Sequence, residues 1–191
     1  MEKKFLGIVG SPRKKGNTHL LVEKILEGAR DGGADTEIIL LGDKEIRECD
    51  GCHACWKGKP CKHGDDMNAL FDTVAGSDII VFGTPVYWYG PTALMKAFID
   101  RCVYFNCPEN REKIRNKIAI LAIPFEEEDP KTADLTVALF TKSLGYLEMR
   151  LAETILAPGV TKRGEIRERE QVLQRGYELG RRMATGRKKQ R

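Results

Sequence analysis

No apolar run in the sequence approaches the roughly 20 residues that a membrane-spanning helix needs, and only 7% of the chain is aromatic. Neither internal repeats, low-complexity blocks nor linker-like stretches interrupt it. Its 191 residues therefore read as one domain over residues 1–186 followed by a basic tail at 187–191. The start, "MEKKFLGIVG", lacks the small-residue cleavage pattern of a secretory leader, so a cytoplasmic protein is expected. A large excess of one charge is also missing. The net charge of +4 comes partly from "GRKKQR" at the end, while elsewhere Lys and Arg alternate with Glu and Asp, so neither nucleic acid nor membrane is an expected partner. Two nucleotide-binding signatures are absent. There is no G-x-G-x-x-G, and Gly10 and Gly16 enclose five residues where a triphosphate loop has four, with Asn17 in place of its lysine.

What is present is an alternation. Short apolar runs at 4–9, 36–41, 77–85 and 117–124 read as buried parallel strands, and a fifth within 146–159 is less purely apolar and so nearer an edge. Between them, Leu21, Val22, Ile25 and Ala29 recur at helical spacing after Asn17, with "DGG" at 31–33 as a stop. Met67, Leu70, Phe71 and Val74 do the same after Asp65 and Asp66, which read as a cap. Pro91 and Pro130 sit where a first helical residue tolerates proline, and a last helix is expected over about 165–184. Strand and helix in alternation predict a doubly wound α/β fold, with a five-stranded parallel sheet covered on both faces. Ligands of such sheets bind at the carboxyl edge of the strands, so the loops after strands one to four are expected to share one rim.

The first of those loops, "GSPRKKGNT" (10–18), gathers Ser11, Arg13, Asn17 and Thr18 at a helix N-terminus, where backbone amides and hydroxyls suit a phosphate. The third, "TPVYWYG" (84–90), places Tyr87, Trp88 and Tyr89 consecutively, a flat wall for a conjugated ring, with the amide of Val86 beside it for ring heteroatoms. The same aromatics would also serve a subunit contact. A flat ring joined to one phosphate suggests FMN. The fourth, "PFEEEDP" (124–130), carries Glu126, Glu127, Glu128 and Asp129, which would repel a phosphorylated donor if they face the site, or simply lead into a helix N-terminus.

The second loop is unlike the others. "CDGCHACWKGKPC" holds four of the six cysteines in thirteen residues, within a cysteine-rich insert at about 45–66. Cys49, Cys52 and Cys55, spaced by three, can wrap one side of a compact inorganic core, and Cys61 follows after a longer loop. A reducing compartment disfavours disulfides. Zinc accepts four thiolates, with His53 or His63 as substitutes, but usually joins two separated C-x2-C knuckles. Metal-free redox thiols and inert loop thiols complete the options. His53, Cys102 and Cys107 carry no assignment.

Through "GSPRKKGNT", "TPVYWYGPTALMKAFIDR" and "APGVTKRGEI" (157–166), the sequence resembles the flavodoxin-like NAD(P)H-dependent FMN reductases, and with its cysteine segment it is similar to the iron-sulfur flavoproteins among them. The resemblance implies strand order 2-1-3-4-5. It implies FMN phosphate contacts at Ser11, Arg13, Gly16, Asn17 and Thr18, and ring contacts at Pro85, Val86, Tyr87, Trp88 and Tyr89. A 4Fe-4S cluster on Cys49, Cys52, Cys55 and Cys61 would then pass electrons to the flavin, with no side chain acting as a catalytic acid or base. Ferredoxin or NAD(P)H is the implied donor, a small molecule or oxygen-type species the acceptor, and a homodimer or homotetramer the assembly.

Overall fold

The structure is a computed structural model that describes residues 2–186; the expected basic tail at 187–191 lies outside the described residues. Strands β1 (Lys4–Val9), β2 (Asp35–Leu40), β3 (Ile79–Gly83), β4 (Ile118–Pro124) and β5 (Arg150–Ala157) form one parallel sheet in the order β2-β1-β3-β4-β5. This is the expected fold and order.

Period-two alternation explains why the strand runs are nearly continuous in apolar residues. In β1, Leu6 and Ile8 join the core under helices α2 (Met67–Gly76), α3 (Ala93–Arg101) and α5 (Asp134–Tyr146), whereas Phe5 and Val9 join the core under α1 (Asn17–Asp31) and α6 (Glu170–Thr185). Both faces of the central strands are dry, so their positions favour apolar side chains. β2, expected to be buried, is instead an edge strand in which Ile39 is buried and Asp35, Glu37 and Ile38 are exposed. β5 is an edge strand, as its mixed composition suggests, and its register shifts against β4 between Ala119 and Ile120.

The fifth strand falls within the expected 146–159, starting at Arg150 after α5 ends at Tyr146 and a turn with Glu148 at positive φ. Other elements differ from the sequence reading. The last helix starts at Glu170, after a 3-10 turn at Glu165–Glu168. Pro91 lies just outside α3; Thr92 caps it by accepting from the Met95 amide at 3.1 Å. A seven-residue helix, α4 (Pro108–Ile114), follows a 3-10 stretch at Cys102–Asn106, and is too short to give a readable apolar period.

Helices α1 and α6 approach so closely that a Cβ on Gly180 would stand 1.9 Å from the Ile25 carbonyl oxygen, a backbone atom that cannot step aside. Gly145 on α5 has open space around it. Gly180→Ala is therefore expected to destabilise by about 1–3 kcal/mol through overpacking, despite alanine's better helix propensity. Gly145→Ala is expected to stabilise by about 0.5–1 kcal/mol. Thermal melts showing Gly180→Ala at or above the wild-type midpoint would contradict this packing.

Candidate functional site

The loops after β1 and β3 are locked together by backbone. The Gly10 amide donates to the Gly83 carbonyl at 2.8 Å, the Thr92 hydroxyl donates to the Gly10 carbonyl, and a Cβ on Gly10 would lie 2.6 Å from that of Met95. Only glycine fits there. The loop then turns back at Gly16, whose amide donates to the Arg13 carbonyl at 3.0 Å, and α1 begins with no side-chain cap and no acid in its first turn. Its first amides are left for an anion. Ser11, Arg13, Asn17 and Thr18 border one cleft together with Pro85, Val86 and Tyr87, closed on the third side by Phe125 and Glu126 and on the fourth by Val160 and Thr161.

Within this cleft Asn17 has a role the sequence did not suggest. Its side-chain amide donates to the carbonyls of Val160 (3.3 Å) and Lys162 (3.0 Å), and its carbonyl accepts from the Ile166 amide at 3.2 Å. The side chain is thus spent on holding the loop after β5, and what it offers a phosphate is its backbone N–H. Arg13 shares the task through Nη1 to the Thr161 carbonyl at 3.1 Å, with further donors free in its fork. Glu165 closes the same loop by accepting from the amides of Thr161 and Lys162 at 2.6 and 2.7 Å; those hydrogen bonds hold its carboxyl below the ordinary glutamate range.

The aromatic wall is smaller than expected. Tyr87 and Gly90 exchange amide–carbonyl bonds across a two-residue turn in which Trp88 and Tyr89 have φ of 51° and 63°, the geometry of a type I′ turn. Bulky residues there store backbone strain. The turn carries Trp88 to 98% exposure, and Trp88 and Tyr89 do not border the cleft; in a single chain Tyr87 alone of the three does. The acidic run divides likewise. Asp129 caps a 3-10 turn at the Lys131 amide and Glu128 contacts Arg169 at 3.4 Å, while Glu126 borders the cleft.

The cysteines occupy a second pocket. Cys49, Cys52, Cys55 and Cys61 all line one cavity, closed behind by Phe71 of α2 and by Arg101, Val103 and Tyr104 at the end of α3. Positive φ at Gly51, His53 and Gly58 lets the chain double back between them. No residue lines both this cavity and the cleft. The two sites flank opposite ends of α3, whose nine-residue advance from Thr92 to Arg101 spans about 13 Å, although the loop after β2 starts beside the loop after β1, where Lys14 pairs with Asp43 at 2.6 Å. From that start the irregular stretch between β2 and α2 carries the cysteines to the end of α3.

The donor set of this pocket is four cysteines, a set that suits an iron-sulfur core and that zinc also accepts. Among the described residues no three His, Cys, Asp or Glu side chains stand together as a ligand set for a metal ion. One donor faces the four cysteines: Arg101 Nη2 donates to Cys61 Sγ at 3.2 Å, while the buried His63 Nε2 has no hydrogen-bond partner and stands 3.8 Å from Asp50 Oδ1. Burial, followed by the nearby sulfurs of Cys107, Cys61 and Cys49, pushes the Cys55 thiol up, which is the crowding a positively charged metal core relieves. Cys102 lies outside the pocket, its thiol pushed up to about 12 by burial and by Asp100.

A protein-family model described as NADPH-dependent FMN reductase matches residues 3–128. The chain belongs to that family. An iron-sulfur flavoprotein of Methanocaldococcus jannaschii is 41% identical over 98 residues, 51% of each chain. One from Archaeoglobus fulgidus is 32% identical over 163 residues, 85% of this chain and 80% of that one. The chain thus spans about half the length of the first relative and most of the second. An NAD(P)H:quinone oxidoreductase from Methanothermobacter marburgensis shares the fold with a TM-score of 0.75 at 17% identity, over 96% of this chain and 100% of that one. Membership makes this a flavin-dependent oxidoreductase family member, and FMN is the cofactor it supports. Among the described residues no helix is long and apolar enough to cross a membrane.

Arg101, Thr92 and the pairing of Asp65 escaped the sequence reading, which named His63 only as a substitute zinc ligand. Asp65, read there as a cap, accepts from the Met67 amide at 3.2 Å but also binds both terminal nitrogens of Arg101, at 2.7 and 3.0 Å. Burial works to raise its pKa; the Arg101 hydrogen bonds overcome this and hold it at about 2. A carboxyl depressed below its unfolded value of about 3.9 contributes stability above that pH and loses it as pH falls through about 2. Asp65→Asn is expected to cost about 3–5 kcal/mol at pH 7 in the metal-free protein, since Arg101 is left buried and unpaired. The gap to wild type should narrow between about pH 4 and 2. Denaturant titrations showing a gap independent of pH would contradict the pairing.

Proposed function

We propose that this chain is an FMN-dependent oxidoreductase that also holds a 4Fe-4S cluster on Cys49, Cys52, Cys55 and Cys61. The observation that supports the cluster best is that all four cysteines line one pocket with the Arg101 guanidinium donating to one of them at its wall. The names of the relatives point the same way. Together the bound cofactors would supply the redox chemistry, a cluster exchanging single electrons and a flavin one or two.

The protein's part is to bind and orient. The first amides of α1, the hydroxyls of Ser11 and Thr18 and the free donors of Arg13 would hold the FMN phosphate, with Gly16 allowing the tight turn into the helix. Asn17 would act indirectly, keeping the 160–166 loop over the cleft. Pro85, Val86, Tyr87 and Phe125 would bound the ring. No side chain is assigned as acid or base. The four thiolates would bind the cluster, with Arg101 donating to one of them.

The electron donor on this reading is a ferredoxin-type protein or NAD(P)H, and the acceptor a small molecule or oxygen-type species, in a cytoplasmic homodimer or homotetramer. The exposed Trp88, held out on a strained turn beside the cleft, supports an assembly that covers it. A second reading is a cluster-free NAD(P)H-dependent reductase. The family description supports it, as does the position of Glu127, Glu128 and Asp129 outside the cleft lining, which leaves Glu126 as the acid of that run at the cleft.

Purification without oxygen, with iron, acid-labile sulfide, zinc and FMN measured per chain, separates these readings. About four iron, four sulfide and one FMN are expected, and Cys52→Ala should lose iron and sulfide while keeping FMN. FMN with no iron or sulfide would establish the cluster-free reading, and stoichiometric zinc a metal-stapled loop.

A further inference from the structure

Helix α3 buries Met95 and Phe98 at a spacing of three, and the next residue on that stripe is Arg101, 1% exposed. A guanidinium on an apolar stripe is costly unless its donors are matched. Nη1 donates to the Arg47 carbonyl at 2.9 Å and to Asp65 Oδ2 at 2.7 Å; Nη2 donates to Asp65 Oδ1 at 3.0 Å and to Cys61 Sγ at 3.2 Å. Asp65 is fixed in turn by the amides of Arg47 and Met67, at 2.9 and 3.2 Å. Neither group can turn without breaking several bonds, so the second N–H of Nη2 is aimed at sulfur. A pair that served only to tie down the loop would be complete with the carboxylate and the carbonyl.

We propose that Arg101 is a positioning residue for the cluster: it fixes Cys61 Sγ as the fourth ligand and, through its N–H···S bond, raises the reduction potential of the group held there. This rests on the cluster reading given above. Reduction adds one electron to the cluster core, with no proton moved and no bond made, and so increases the negative charge on its sulfurs. A hydrogen bond from a cation to one of those sulfurs stabilises the reduced form more than the oxidised one. Asp65 cancels most of the long-range charge of Arg101, which leaves the short contact to Sγ as the effective element.

The test compares wild type, Arg101→Lys and Arg101→Gln, each purified without oxygen and supplied with iron, sulfide and FMN. Iron and FMN per chain are measured, and the cluster is titrated with dithionite while its reduced form is followed by low-temperature electron paramagnetic resonance. Arg101→Gln should shift the one-electron equilibrium towards the oxidised cluster at least tenfold, a fall of about 59 mV or more. Arg101→Lys, which keeps the charge without the fork, should fall between, with iron content restored towards wild type and FMN unchanged. Wild-type potentials in the cluster-loaded variants would overturn the proposal and leave Arg101 a structural residue. Should Arg101→Gln fail to fold, Arg101→Lys decides alone, a lowered potential supporting the proposal and a wild-type potential overturning it. A wild-type chain that binds no iron or sulfide overturns the cluster reading and this proposal together, an outcome visible before any variant is measured.

Discussion

Burying a guanidinium costs several kcal/mol unless its donors find partners, and both terminal nitrogens of Arg101 do so with a carbonyl, a carboxylate and a sulfur drawn from Arg47, Asp65 and Cys61. Those three residues lie in the irregular stretch between β2 and α2, which has two 3-10 turns, at Leu41–Asp43 and Cys55–Lys57, and no strand. Such a stretch has few backbone bonds to hold its own shape. Side chains do it instead: Asp66 accepts from the Glu45 amide at 2.8 Å, and the Asn68 side chain donates to the Cys61 carbonyl at 3.2 Å. Arg101 anchors that network to the core, and through it the cysteines close on a common pocket.

The cleft is built by a different device. Gly10, Gly83 and Thr92 interlock two loops through the backbone, and the 160–166 loop is fastened to α1 by Asn17. Helix α3 joins the two constructions, its capped N-terminus at the cleft and its final residue at the cysteines. One rigid helix thereby fixes the geometry of two sites that share no lining residue.

The strands were legible because a two-faced parallel sheet demands unbroken apolar runs, and the glycine-rich loop because an uncapped helix start needs small residues and hydroxyls. The cysteine spacing announced its own chemistry. What escaped the sequence are contacts between distant segments. Nothing near Asn17 says that its amide will be spent on residues 160 to 166, and nothing near Asp65 says that it will pair with Arg101 rather than only cap a helix. Trp88 was misplaced because three consecutive aromatics look like one wall, while a turn with two positive φ values sends the second outward. One signal was available unread. Arg101 continues the Met95 and Phe98 stripe, and a cation at a core position implies a buried partner.

If the fold itself holds the cysteine segment, the pocket exists before any cofactor enters. Hydrogen exchange of the metal-free wild-type protein at the amides of Glu45, Arg47 and Asp66, each bonded within this network, measures that directly. Exchange should be slowed well below the unprotected rate in wild type, and should speed up at least tenfold in Arg101→Gln while the strand amides remain protected. Unprotected exchange at these amides in the metal-free wild type would mean that the cofactor, and not Arg101, builds the site.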